Sequence, residues 1–138
     1  MDKLIFHTKR LRASGLRPTK QRIAICRVLF NRKKTFHFTI DKLQKIVEKE
    51  VKKKISIATL YNNVHALKKK GYLKEISLKS NKTFFDTNTT HHHHFYDEET
   101  SQLADIEDKN ISISHLPKTP NGKKIKSVEV LVKIADTN

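Results

Sequence analysis

The chain has 138 residues, a hydrophobic content of 36% and a mean hydropathy of −0.62, which suits one ordinary domain or two small ones with a modest core. Its single cysteine, Cys26, excludes an intrachain disulfide framework and any zinc site built from several thiolates. The formal net charge of +15 excludes an acidic, self-solvating chain and directs attention to anionic partners. No apolar run approaches the roughly 18 residues of a membrane span. Met1-Asp2-Lys3-Leu4-Ile5-Phe6-His7 turns charged again by Lys9-Arg10, unlike a signal peptide, so a cytoplasmic location and no membrane partner are expected.

The charge is unevenly spread. Residues 1–80 hold 22 Lys/Arg against 5 Asp/Glu, and residues 81–138 hold 7 against 9. A strongly basic first part thus joins a slightly acidic second part. Such a balance marks a nucleic-acid or anionic-surface binder, weighed against a merely lysine-rich solvated surface.

In chain order, residues 3–13 suit a short helix that Gly15 and Pro18 interrupt. Thr19 is placed to cap a helix from Lys20, with Ile23, Cys26, Leu29 and Phe30 on its apolar stripe. Cys26 on that stripe reads as a small core thiol. Thr39 caps the next helix, whose stripe is Ile40, Leu43, Ile46, Val47 and Val51, and which ends in Lys52-Lys53-Lys54. Ser56 opens a further helix and Gly71 closes it. There Ile57, Leu60, Val64 and Leu67 form the buried stripe. Ala58, Asn62, His65 and Lys69 share a small, polar, basic face suited to a major groove. Extended segments Tyr72–Leu78 and Thr83–Asp86 follow, joined by the polar turn Lys79-Ser80-Asn81-Lys82. Helices followed by a basic hairpin give the order of a winged helix, with Lys79 and Lys82 near phosphate.

Beyond residue 86 the character changes. Val128, Val130, Val132 and Ile134 alternate as a strand, Phe95-Tyr96 and Leu103–Ile106 are weaker strand candidates, and Leu116–Gly122 is a loop. About 50 residues make a small core, so completion across a homodimer interface is expected.

Half of the eight histidines stand in one run, His91-His92-His93-His94, with Asp97-Glu98-Glu99 just after it. In a strand, His92 and His94 share one face and His91 and His93 the other. Same-face neighbours lie about 6.5–7 Å apart along a strand, so two imidazoles can converge on one ion. Further donors are few: Asp86 before the run, Asp105 and Glu107 after it, and His37 ahead of the second capped helix. A site of His37, Asp86, His92, His94 and Asp105 offers nitrogen and carboxylate but no thiolate, which suits Fe(II), Mn(II), Co(II) or Zn(II). The competing reading is a solvated histidine run with incidental metal affinity.

The order of these motifs resembles the ferric uptake regulator (Fur) family of bacterial metal-dependent repressors. Ser14-Gly15-Leu16-Arg17-Pro18-Thr19-Lys20-Gln21-Arg22 is similar to the family's opening motif. His37-Phe38-Thr39-Ile40-Asp41-Lys42-Leu43 is similar to its histidine and capped-helix segment, and Ile55-Ser56-Ile57-Ala58-Thr59-Leu60-Tyr61-Asn62 to its recognition helix. The histidine run matches its His-His-x-His element. Where many members continue with Cys-x-x-Cys for structural zinc, this chain has Asp97 and Thr100, so no cysteine-held structural zinc is expected. That departure, Asn62 in place of a common arginine, Phe85-Asp86-Thr87-Asn88-Thr89 and the Leu116-Pro-x-x-Pro-x-Gly ending resemble the iron response regulator (Irr) branch, whose members respond to haem as well as, or instead of, free iron.

The resemblance implies a regulatory metal on His37, Asp86, His92, His94 and Asp105, with Fe(II), Mn(II) or Zn(II) as occupant. It also implies a second metal or haem site using His91 and His93, with Glu107 as a further member. It implies duplex DNA as partner, with an A/T-rich inverted repeat contacted by Arg17, Lys20, Arg22, Ser56, Ala58, Thr59, Tyr61 and Asn62. The expected fold class is α+β: an N-terminal winged-helix DNA-binding domain over residues 1–84, followed by a small α/β dimerisation and sensing domain over 85–138. The expected function is a dimeric metal- or haem-responsive repressor of iron homeostasis, not an enzyme. A zinc- or peroxide-responsive regulator of the same family and a histidine-based metal store are the alternatives. A metal-dependent hydrolase is disfavoured, because the short second part leaves little room for an open metal position and a pocket.

Overall fold

The computed structural model describes residues 3–76, 78 and 82–138, which form two compact units dividing between Thr89 and Thr90. No helix among the described residues is long and apolar enough to cross a membrane.

The first unit holds helices α1 (Leu4–Ala13), α2 (Lys20–Phe30), α3 (Ile40–Val51) and α4 (Ile57–Lys70), and strands β1 (His37–Phe38), β2 (Lys74–Ile76) and β3 (Phe84–Asp86). Three helices start where a hydroxyl satisfies an orphan amide: Thr19 accepts from Arg22 N–H, Thr39 from Lys42 N–H and Ser56 from Thr59 N–H. Gly71 ends α4 at φ +96°, and Tyr72 N–H reaches back to the Leu67 carbonyl at 2.9 Å. This six-to-one bond is the closure that a left-handed glycine permits. α3 ends at Val51, ahead of the lysine run, and Lys52 itself adopts the left-handed turn at φ +56°.

The core of this unit is built from Ile25 and Leu29 of α2, Leu43 and Val47 of α3, and Leu60, Val64 and Leu67 of α4. A ladder of aromatic rings covers its edge: Phe36 to Phe38 at 5.4 Å and Phe38 to Phe85 at 5.6 Å between centroids. Two stripe assignments need correction. Ile25, not Ile23, is the fully buried isoleucine of α2, because the helix packs on more than one neighbour. Ile57 is exposed, since the first helical residue of α4 projects beyond the packed turn.

The three-stranded antiparallel sheet has the order β1-β3-β2. β2 and β3 form the expected hairpin. Of its turn, Lys79 lies outside the described residues, and Lys82 is exposed. β1 was not anticipated: two residues are too few to show alternation. Its register sets His37 opposite Asp86.

The second unit is a sheet of order β5-β4-β6, made of β4 (His92–Asp97), β5 (Gln102–Glu107) and β6 (Leu131–Ile134), with a 3-10 turn over Asp108–Asn110. β4 is central, antiparallel to β5 and parallel to β6. The alternation read over 128–134 forms a strand only from Leu131.

Candidate metal centre

β4 carries histidines on both of its faces, and both are covered. His92, His93 and His94 are all buried. The antiparallel register pairs His92 with Glu107 and His94 with Asp105, so strand alternation puts Asp105 on the face of His92 and His94. There the two rings meet edge-on at 4.5 Å. The Nε2 atoms of both lie 3.3 Å from one oxygen, Asp105 Oδ1.

The proton placement on His92 is decided by its other nitrogen. Nδ1 lies 2.6 Å from the Thr90 carbonyl, which only accepts, so Nδ1–H donates. In the neutral ring Nε2 then carries the lone pair, and it faces a carboxylate oxygen at 3.3 Å. That is repulsive unless a second proton or a cation intervenes. A carbonyl-held Nδ1–H is also the usual way a ligating histidine is oriented. Bonds of about 2.1 Å set ligand atoms about 3.0 Å apart along an octahedral edge and about 3.4 Å apart in a tetrahedron. The observed 3.3 Å spacings fall in that interval. The donor set fits a borderline divalent cation.

The opposite face presents the same residue types in another state. His91 and His93 pack edge-on at 5.2 Å. Their Nε2 atoms lie 3.3 and 2.9 Å from Asp108 Oδ1. Here, however, Val130 N–H donates to His93 Nδ1 at 2.9 Å. Nδ1 is therefore the acceptor, and the proton of the neutral ring sits on Nε2, where it donates to Asp108. To ligate a metal through Nε2 while keeping the Val130 bond, His93 would have to become an imidazolate. This face is a hydrogen-bonded clasp between β4 and the residue just before β6.

Asp108 is the member that sequence reasoning missed, having named Glu107 instead. Glu107 Oε2 pairs with Lys109 Nζ at 3.1 Å. The signal was available: alternation that groups Glu107 with Asp105 sends Asp108 to the side of His91 and His93.

In the first unit, His37 Nε2 lies 3.1 Å from Asp86 Oδ2. The Asp86 carboxylate is fully buried, and its other oxygen accepts Asn88 N–H at 2.8 Å. A buried carboxylate is costly unless it is hydrogen-bonded, paired or coordinated, and His37 and the Asn88 amide both face this one.

The residues expected at DNA divide into two groups. Ala58, Tyr61 and Asn62 are exposed on α4 together with His65 and Lys69. Asn62, His65, Lys69 and Lys70 line an open groove against Ser14 and Gly15 at the end of α1. Ser56 and Thr59 are committed to each other, hydroxyl to hydroxyl at 2.8 Å, at the start of α4. Arg17 and Lys20 are exposed, whereas Arg22 Nη1 donates to the Arg17 carbonyl at 3.0 Å and braces that turn. Asn63, beside the exposed Asn62, is fully buried and donates to the Thr59 carbonyl at 2.8 Å.

The sequence profile of the Ferric uptake regulator family matches residues 13–134. The chain belongs to this family. Its members are transcriptional regulators rather than enzymes. The peroxide-responsive repressor PerR of Staphylococcus aureus (strain Mu50 / ATCC 700699) is 34% identical over 97 residues, 70% of this chain and 64% of that protein. The chain thus spans just under two thirds of the length of the curated relatives it matches. Among solved structures, the Helicobacter pylori ferric uptake regulator, described as having three functional metal binding sites, superposes with a TM-score of 0.69 at 17% identity, over 98% of this chain and 92% of that one. The Campylobacter jejuni peroxide stress regulator gives 0.58 at 22% identity, over 100% and 98%. These likenesses establish the α+β fold class of a winged-helix part followed by a small α/β part, whose helical share among the described residues is here the 3-10 turn.

Asp97 and Thr100, which stand where many members have Cys-x-x-Cys, are joined by a hydrogen bond. Asp97 Oδ1 accepts Glu99 N–H at 2.9 Å and Thr100 N–H at 3.2 Å, and Asp97 carbonyl accepts Ser101 N–H at 2.8 Å. Cys26 has no part in ligation: burial, only partly offset by nearby Arg10, pushes its thiol up to about 12.

Proposed function

We propose that this Fur-family chain is a metal-responsive DNA-binding repressor that acts as a homodimer. Residues 1–84 read DNA, and residues 85–138 dimerise and sense. The regulatory ion is Fe(II), with Mn(II) as its stable surrogate, held by His37, Asp86, His92, His94 and Asp105. Three imidazoles and two carboxylates without a thiolate favour such ions over a soft cation. The observation that carries the reading is His92, whose Nδ1–H is fixed on the Thr90 carbonyl so that Nε2 converges with His94 on Asp105.

The exposed face of α4 supplies the DNA contact. Tyr61 meets thymine methyl groups, Asn62 an adenine edge or phosphate, and Arg17 and Lys20 the backbone. Because His37 belongs to the DNA-reading part, an ion that needs it makes DNA reading depend on loading. A gel-shift titration of apo-protein on an A/T-rich inverted-repeat duplex tests this. A shift that requires Mn(II), and is lost in the His92→Ala/His94→Ala variant, supports the reading. A shift present without metal and abolished by haemin would move the effector to haem, and no shift under any condition would reject a repressor.

The 34% identity to a peroxide-responsive repressor favours one refinement. With Fe(II) bound, one hydrogen peroxide would give one oxygen atom to the ring of a ligating histidine and leave as water, and the loss of that ligand would release the DNA. Mass spectrometry of His37, His92 and His94 peptides after peroxide treatment of Fe(II)- and Mn(II)-loaded protein tests it. Equal masses in the two samples would count against it.

A further inference from the structure

Within the acidic second unit the charge is segregated again. Residues 109–128 carry five lysines and no Asp or Glu, whereas the rest of 90–138 carries one lysine and eight carboxylates. Lys109 pairs with Glu107. The other four, Lys118, Lys123, Lys124 and Lys126, are all exposed, and none makes an ion pair among the described residues. Four unneutralised ammonium groups within nine residues repel one another, a cost that an anionic partner removes.

The loop that carries them is tied. Lys123 N–H donates to the Pro120 carbonyl at 3.1 Å, and Gly122 sits at φ +75°. That is the third-position glycine of a type II turn. The Thr119 hydroxyl donates to the Lys123 carbonyl at 2.9 Å across the same turn. Pro117 and Pro120 restrict the approach to it. Lys123 is thus presented by an ordered turn, with Lys118 and Lys124 next to the residues that tie it, and less backbone entropy is lost there on engagement.

We propose that the loop 117–127 is a second duplex-DNA contact, gripping phosphates in addition to those met by the first unit. This rests on the repressor reading above. Duplex phosphate is favoured over an anionic lipid surface by the form of the loop. Leu116 and Ile125 are exposed there, but a tight turn with two separated aliphatics is not the continuous apolar face that surface anchoring needs. Lysine engages phosphate as a point charge without base preference, so the contact adds affinity and salt sensitivity, not specificity.

The test is fluorescence anisotropy with the full-length, Mn(II)-loaded protein across a salt series. It compares an A/T-rich inverted-repeat duplex with the same duplex lengthened by unrelated flanks. Wild type should bind the lengthened duplex more tightly. In the variant Lys118→Ala/Lys123→Ala/Lys124→Ala/Lys126→Ala that advantage should vanish, with affinity down roughly tenfold or more at low salt and the log–log salt slope shallower by about 3 per chain. Four Lys→Arg substitutions at the same positions should restore both. Unchanged affinity and slope in the alanine variant overturn the proposal. Loss of binding to phosphatidylglycerol vesicles with DNA binding unaltered overturns it in favour of a membrane surface. Wild type failing on both duplexes removes the repressor reading, and this contact with it.

Discussion

The two faces of β4 hold nearly the same groups in different hydrogen-bonding environments. On one face two buried histidines meet Asp105, and on the other His91 and His93 meet Asp108. What separates them is the location of one proton. Thr90 offers a carbonyl to His92 Nδ1, and Val130 offers an amide to His93 Nδ1. A carbonyl forces the proton onto Nδ1 and leaves Nε2 a lone pair for a cation. An amide forces it onto Nε2 and spends that nitrogen on Asp108. Backbone geometry thus suits one histidine to the proposed metal and commits its neighbour to a hydrogen-bonded clasp. Donor type and spacing do not distinguish them.

The largest expected effect follows directly. Replacing His92 by Ala should lower Mn(II) affinity by at least about 100-fold, more than the usual loss of a supporting partner. His93→Asn should change it by no more than about threefold, since no ligand is lost. Isothermal titration of the full chain measures both, and wild type should bind one ion per chain at this sheet. Comparable losses in the two variants, or a second ion of similar affinity, would erase the distinction between the faces.

The clasp should appear in stability instead. His93→Ala leaves the Val130 amide without its acceptor and opens a cavity in a unit with few large apolar side chains, at a cost of about 3 kcal/mol. His93→Asn keeps an acceptor near the Nδ1 position and should recover about 1 kcal/mol of that. Urea denaturation of metal-free protein checks the order of the three proteins. An alanine variant as stable as wild type would mean that the Val130 bond contributes nothing.

Much of this was legible because it is local. Thr19, Thr39 and Ser56 were read as caps and each makes its bond, and Gly71 closes α4 as its position implied. The convergence of His92, His94 and Asp105 followed from strand alternation. The same rule, carried one residue further, would have named Asp108. The stripe places Ile23 and Ile57 wrongly because it assumes one packed face, whereas α2 meets both α1 and α3, and α4 begins beyond its packed turn. β1 was invisible at two residues, although its register places His37 against Asp86. The tautomers were out of reach altogether. They depend on whether a carbonyl or an amide faces each ring, and Val130 is 37 residues from His93.

Asp108 gives the smallest effect and the finest discrimination. Its carboxylate accepts from the buried His93 at 2.9 Å but is itself 58% exposed, on the 3-10 turn after β5. As a clasp member it contributes about 1 kcal/mol or less, because solvent screens it and water can replace it as acceptor for the His93 Nε2–H. Asp108→Asn should therefore lower urea stability only slightly and leave Mn(II) affinity and metal-dependent DNA retardation unchanged. Glu107→Gln should be equally silent toward metal, since that carboxylate pairs with Lys109. If Asp108→Asn instead removes a bound ion while Asp105→Asn does not, the cation belongs to the His91 and His93 face, and the tautomer argument has chosen the wrong side of the strand.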